Sequence, residues 1–398
     1  MNRRTLLQLF VGVALAGVIS IGSAQAADVV KIGVVGPKTG ALAGGAAITH
    51  WPNFRLWAHQ INARGGFKLK SGQRKIELIE YDDRTQPGET IKAVQRLATQ
   101  DKADFIMAPY GTGFNLAVAP IFAKYGYPQF ATSAVTDKHD ELAKRYPTFF
   151  LMIGSTTGYA RGVAKVLKKL RDAGKIGNRI AMVNVADSFG IELANAARLI
   201  FKKFGFNIVY DKSYPLGTQD LAPVVKAAKA AKPDAFVAWS YPPDTFALTE
   251  QAKIEGLNVK VFYTAVATAF PAYAGKFGAG IENVFGAGGI QDTPEMRAYM
   301  KAHKEVTGVG ADFWGSCLYY TSLQIIEQTI EALGSIDGKA MTAYVKKNTF
   351  KTITGEIDLS DQKIDYFWTV GQWQKGVFQG VEGTYNSPGK PVRLKTGW

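Results

Sequence analysis

The chain is predicted to be an α/β protein of two lobes joined by crossing strands. Strand-like apolar runs alternate with amphipathic stretches of helical period, the pattern of parallel strands joined by right-handed crossovers. That alternation runs from residue 29 to 133 and starts again from 179 to 266, which implies two sheets. Three further apolar segments are placed to pass between the halves. At 398 residues and 47% apolar content, the chain has material for about two buried cores.

The first 26 residues combine Arg3 and Arg4, an apolar stretch from Leu6 to Ile21, and Ala24-Gln25-Ala26, whose small residues suit a signal peptidase. Gly12 and Gly17 interrupt the apolar stretch, which is shorter than the roughly 20 residues of a membrane span. A cleavable secretory signal is expected, by Sec or Tat, with the mature chain starting at Ala27. No cysteine stands beside the cleavage point to carry a lipid, and no later segment has the length and apolarity of a span.

Strands are expected at VVKIGVVGP (29–37), KIELIEYDD (75–83), DFIMAPY (104–110) and PQFATS (128–133). Between them, ETIKAVQRLATQ puts Ile91, Val94, Leu97 and Ala98 on one helical face. The second half repeats this with RIAMVNVADSFG (179–190), NIVYDKSYPLG (207–217), DAFVAWSYPPD (234–244) and KVFYTAV (260–266). The crossing strands are read as FFLMIGSTTG (149–158), NVFGAGGI (283–290) and FKTITGEI (350–357), with a helical block from Pro294 to Lys347 returning to the first lobe. A hairpin in DYFWTVGQWQKG (365–376) closes the second. Lobe 1 is therefore 27–148 plus 287–351, and lobe 2 is 149–286 plus 352–398.

The net charge of +14 falls to +12 without Arg3 and Arg4. Its cations are scattered pairs such as Lys168-Lys169 and Lys346-Lys347, which read as solvated helix faces rather than a nucleic-acid stripe. The single cysteine, Cys317, excludes an internal disulfide and is expected to fill a helix core.

VVGPKTGALAGG (34–45) is neither a phosphate loop nor a dinucleotide fingerprint, because Gly36, Gly40 and Gly44 fall four apart. It reads as a sharp turn after strand one, where backbone can approach a ligand. There is no Gly-x-Ser-x-Gly elbow or His-Glu-x-x-His, and His50, His59, His139 and His303 are not spaced as metal ligands. No enzyme activity, cofactor or metal is expected.

IGVVGPKTGALAG, INARGG, IELIEYDDRTQPGETIKAVQRL, APYGTG, LAVAPIFAKYGYPQFATSA, DSFG and KPDAFVAWSYPPD, taken in order, resemble the periplasmic solute-binding proteins of branched-chain amino acid ABC transporters. The resemblance implies two Rossmann-like lobes of the type I periplasmic binding fold on a three-strand hinge. They would close on one small ligand and deliver it to a membrane permease. It implies a periplasmic protein, expected to be a monomer, with no nucleic-acid partner.

The resemblance also suggests the site. The family grips a ligand carboxylate from two loops that match APYGTG (108–113) and ATSAV (131–135) here, which nominates Thr112 and Ser133 beside Tyr110, Gly111 and Ala134. N–H groups opening the following helix favour an anion, although Thr112 also fits an ordinary helix cap. On the ammonium side, Phe189 replaces the usual tyrosine, and FYTAVATAF (262–270) lacks the usual acid.

Burying an ammonium without a partner costs several kcal/mol. An aromatic or apolar carboxylate is therefore preferred over the alternative, a branched-chain or aromatic amino acid paired with Asp187 or Asp244. Phe189, Trp239, Tyr241, Trp51 and Trp314 are nominated as the aromatic lining. Trp239 and Trp51 suit packing equally well. For His50 and Arg161 a surface role is preferred to an anion contact.

Overall fold

A computed structural model describes residues 29–384 and 388–398. The proposed signal segment, 1–26, lies outside them. The first half runs β1 (Val30–Gly36), α1 (Ala43–Thr49), α2 (Trp51–Ala63), β2 (Phe67–Leu69), β3 (Gly72–Arg74), β4 (Ile76–Asp82), α3 (Pro87–Thr99), β5 (Phe105–Ile106), α4 (Thr112–Tyr125), β6 (Gln129–Ala131), α5 (His139–Arg145) and β7 (Phe149–Leu151). Strands order β4-β1-β5, all parallel, and β6 pairs in parallel with β7. β1 is buried along almost its whole length because helices cover both faces. The α3 contact is close enough that a Cβ on Gly33 would sit 2.7 Å from Leu97 Cδ1.

The second half runs α6 (Thr156–Asp172), β8 (Arg179–Val185), α7 (Ser188–Lys203), β9 (Asn207–Tyr214), α8 (Ala222–Ala230), β10 (Ala235–Trp239), α9 (Pro242–Glu255), β11 (Val261–Thr264), α10 (Pro271–Phe277) and β12 (Phe285–Gly286). After it come α11 (Pro294–Thr307), α12 (Gly315–Leu333), α13 (Gly338–Val345), β13 (Thr349–Thr352), β14 (Gly355–Asp358), β15 (Trp368–Gln374) and β16 (Val377–Gly383). The seven-stranded sheet orders β16-β15-β12-β11-β10-β8-β9. It is parallel from β9 to β12 and antiparallel where the hairpin β15–β16 joins, as the sequence suggested.

The helical block returns to the first sheet. Trp57 Nε1 on α2 donates to Glu327 Oε2 on α12 at 3.1 Å. One expected crossing strand is corrected: residues 350–357 form the hairpin β13–β14, with Phe350 opposite Ile357. Gly355, at φ 108°, permits the reversal, and the Thr352 hydroxyl donates to its carbonyl. The hairpin is tied to α12 by Gln328 Nε2 donating to Lys351 O and Ile353 N to Gln324 Oε1. The chain runs beside β7 only further on, where Leu151 N donates to Gln362 O and Ile364 N to Leu151 O. The β2–β3 hairpin was not anticipated either, although Gly72 at φ 115° marks it.

Candidate ligand-binding site

The glycine loop ends β1 and folds onto the end of β4. Lys38 N and Thr39 N both donate to Asp82 Oδ1, and the Thr39 hydroxyl donates to Asp82 Oδ2. Further along, Gly45 on α1 packs so closely that a Cβ would lie 2.4 Å from the Tyr110 hydroxyl and 3.0 Å from Pro242 Cγ on α9. The glycines thus bring the wall of the first sheet against a helix of the second.

Beyond the carboxyl ends of both sheets' strands the two halves meet over a tight cavity of about 30 Å³. Thr49, Tyr110, Gly111, Thr132, Ser133 and Val135 line it from the first half, and Phe189, Tyr241 and Val266 from the second. Ile153, Trp314, Gly315 and Tyr319 complete it.

Of the residues nominated from sequence, Tyr110, Gly111, Ser133, Phe189, Tyr241 and Trp314 line this cavity. The others do not, each for a physical reason. Thr112 is fully buried behind the wall, where its Oγ1 accepts from Val135 N at 3.1 Å. Ser133 Oγ accepts from Gly111 N at 2.9 Å and donates to Pro109 O at 3.1 Å, so both hydroxyls tie the two loops together.

Ala134 packs with Phe149 and Leu151. Asp187 caps α7: its Oδ1 accepts from Gly190 N and its Oδ2 from the Tyr241 hydroxyl, each at 2.9 Å.

Trp239 is completely buried in the sheet, its Nε1 3.4 Å from Met182 Sδ and its ring edge-on to Tyr263. A strand covered on both faces has no cleft side, so Tyr241 in the following loop reaches the cavity instead. Trp51 anchors the start of α2, donating to Pro37 O at 3.1 Å beneath the Lys38 ammonium. His50 is buried rather than superficial, and Arg161 is exposed on α6.

Sequence reasoning missed Thr49, Thr132, Val135, Ile153, Val266, Gly315 and Tyr319.

Four helices begin near the cavity, and three have carboxylate caps: Asp187 on α7, Asp244 on α9 and Asp312 on α12. Burial raises all three carboxyls above their ordinary range, Asp244 to about 6, against the hydrogen bonds they accept. The Asp244 Oδ2 accepts from both the Tyr214 hydroxyl and Tyr241 N. α4 differs: its cap is Gly111, at φ 102°, which offers no side-chain oxygen to the first N–H groups. On the other side, Phe189 and Tyr241 stack with ring centroids 4.8 Å apart.

Cys317 is buried with its Sγ 3.4 Å from Met296 Sδ, and burial pushes its thiol far up, away from nucleophilic use. Among the described residues, no group of three His, Cys, Asp or Glu side chains is placed to hold a metal ion. No described helix is long and apolar enough to cross a membrane.

Two α/β lobes meeting over a shared cavity have the architecture of a bilobal receptor for a small solute. The chain matches the periplasmic binding protein family over residues 29–377 and belongs to that family, whose members are non-enzymatic solute receptors.

A Leu/Ile/Val-binding protein homolog from Brucella abortus is 24% identical over 386 residues, covering 95% of this chain and 98% of that protein. The fold is similar to that of a branched-chain amino acid transporter substrate-binding protein from Streptococcus pneumoniae in complex with isoleucine, with a TM-score of 0.76, 18% identity, and 89% and 99% of the two chains covered. It is also similar to an ABC transporter solute-binding protein from R. palustris in complex with benzoate, with a TM-score of 0.77, 16% identity, and 91% and 97% covered. These likenesses establish the type I fold, two Rossmann-like lobes on a three-strand hinge.

Proposed function

We propose that this protein is an exported periplasmic receptor of an ABC importer that closes around a small aromatic or apolar carboxylate lacking an ammonium group. One observation carries the reading: the uncapped start of α4 and the Phe189–Tyr241 stack bound the same cavity, whose lining contains no Asp or Glu. The ligand carboxylate takes the place of the missing cap on backbone N–H groups, where charge-assisted bonds and the helix dipole favour it. Thr112 and Ser133 act by holding the two loops that present those groups, while Phe189, Tyr241 and Trp314 cover the apolar body.

Lobe closure then selects the ligand-bound conformation for the permease. In this reading the monomer has its crossings near 151–155, 287–291 and 362–367, so the third lies after the β13–β14 hairpin rather than at 352.

The amino-acid reading rests on Asp187 or Asp244, but Asp187 already holds Tyr241 and Gly190, and Asp244 already holds the Tyr214 hydroxyl and Tyr241 N. A thermal-shift series on the chain from Ala27 onward, refolded to remove bound ligand, tests the proposal. Stabilisation by benzoate and not by L-leucine is expected; stabilisation by L-leucine alone would refute it.

A further inference from the structure

The cavity wall contains a hydrogen bond that joins the two halves of the molecule beside the chain crossings. Trp314 opens α12, the helix that returns to the first half, where Trp57 and Thr132 pair with its Glu327 and Ser322. Asp312 fixes the backbone there, its Oδ1 accepting from Trp314 N and its Oδ2 from Ser316 N, each at 2.8 Å. The buried indole lines the cavity, and its Nε1 donates to the Tyr159 hydroxyl at 2.9 Å. Tyr159 stands on α6, which packs on the other sheet: at Gly162 a Cβ would lie 2.0 Å from Thr369 Oγ1 on β15. Tyr159 is not part of the cavity lining among the described residues.

Each of the three crossings touches this pair. In the first, Ile153 O accepts from the Tyr159 hydroxyl at 2.6 Å. In the second, Gly288 at φ 93° lies against the indole, where a Cβ would stand 2.3 Å from Trp314 Cβ, and Gly289 N donates to Phe313 O at 3.0 Å. In the third, the Phe367 ring lies 5.3 Å from that of Tyr159, and it leaves so little room that a Cβ on Gly154 would stand 2.4 Å from Phe367 Cζ. The indole thus faces the cavity on one side and the crossings on the other.

We infer that Trp314 is a positioning residue that couples occupancy of the cavity to the hinge. In the closure proposed above, the Trp314–Tyr159 bond forms as the halves come together. A ligand packed against the indole holds its N–H on Tyr159, so the occupied cavity gains a contact in the closed form that the empty one lacks. The inference rests on that closure and on no particular ligand.

Tyr159→Phe tests it, because the variant loses the hydroxyl and keeps a ring of the same shape outside the lining. Calorimetry and small-angle X-ray scattering of the refolded parent and variant, each with benzoate and with L-leucine, read affinity and compaction. For the ligand that the parent binds, the variant is expected to bind about tenfold more weakly, the equivalent of one hydrogen bond, and to compact less at saturation. Trp314→Phe weakens binding on its own account, and adding Tyr159→Phe to it should weaken binding no further. Unchanged affinity and compaction in Tyr159→Phe, or a further loss of about tenfold in the double variant, would overturn the inference.

Proton NMR of the Trp314 indole gives a reading that needs no variant. Its N–H should exchange with solvent about tenfold more slowly in the ligand-bound parent than in the free one, and equal rates would overturn the coupling. A parent that binds without compacting would overturn the closure and this inference with it. If L-leucine binds in place of benzoate, the carboxylate reading falls, and the same comparison made with L-leucine still judges Trp314.

Discussion

The Thr136 hydroxyl, in the loop after β6, donates to Glu192 Oε2 on α7 at 2.7 Å, joining the first half of the chain to a helix of the seven-stranded sheet. Lys138 adds its ammonium 3.1 Å from Glu192 Oε1. In the closure proposed above, these bonds form as the two walls of the cavity come together and favour the closed form. Glu192→Ala is expected to weaken ligand binding about tenfold, in line with loss of a hydrogen bond to a charged group. Calorimetry of the variant reads this directly, and unchanged affinity would remove Glu192 from the closure.

Gly36 lies where a Cβ would stand 2.6 Å from His50 Nε2. Gly36→Ala must displace a buried ring from its bond to Val35, and overpacking of this kind costs about 1–3 kcal/mol. Urea denaturation should show a loss in that range; a variant as stable as the parent would mean His50 is not wedged.

Trp239 and Phe189 looked alike in the sequence but separate in the structure. Trp239→Ala, fully buried, is expected to cost about 3–5 kcal/mol of stability. Phe189→Ala, at the cavity wall, should lose more in affinity than in stability. Measuring both quantities for both variants checks the division, and the reverse pattern would return Trp239 to the site.

Burial raises the folded-state pKa of Asp244 from 3.8 to about 6. The folded carboxyl then binds its proton more tightly than the unfolded one, so this group's contribution is greatest below about pH 4 and is lost as pH rises through about 6. Asp83, also raised by burial to about 6, acts in the same direction. Relative to the parent, Asp244→Asn should therefore gain melting temperature between pH 4.5 and 7. Parallel curves for the two proteins would contradict the shift.

Much of the fold was legible because its signals are local. β1, β8 and β10 are mostly apolar runs, β4 sets Ile76, Leu78 and Ile79 among Glu77 and Glu80, and α3 follows the periodicity of Ile91, Val94 and Leu97. The hairpin at 349–358 was misread because Phe350 to Ile357 also looks like one strand, and its reversal depends on Gly355. In the cavity lining, Gly111 and Ser133 were nominated through motif order and Tyr241 as an aromatic at the end of a second-lobe strand. Trp239 was misplaced because composition does not say which side of a strand end meets the cleft. Tyr319 escaped because it lies more than a hundred residues from Phe189 and Ser133 in the chain, and only the return of α12 to the first sheet brings it there.

The central claim, that the site accepts a carboxylate and rejects an ammonium, is tested most directly by ligand pairs that differ in that group alone. Calorimetric titration of the refolded protein with 4-methylpentanoate against L-leucine, and 3-phenylpropanoate against L-phenylalanine, makes the comparison. The account predicts that the des-amino acid of at least one pair binds measurably and its amino acid does not. Tighter binding of the amino acid in both pairs would contradict it and assign the ammonium to Asp187.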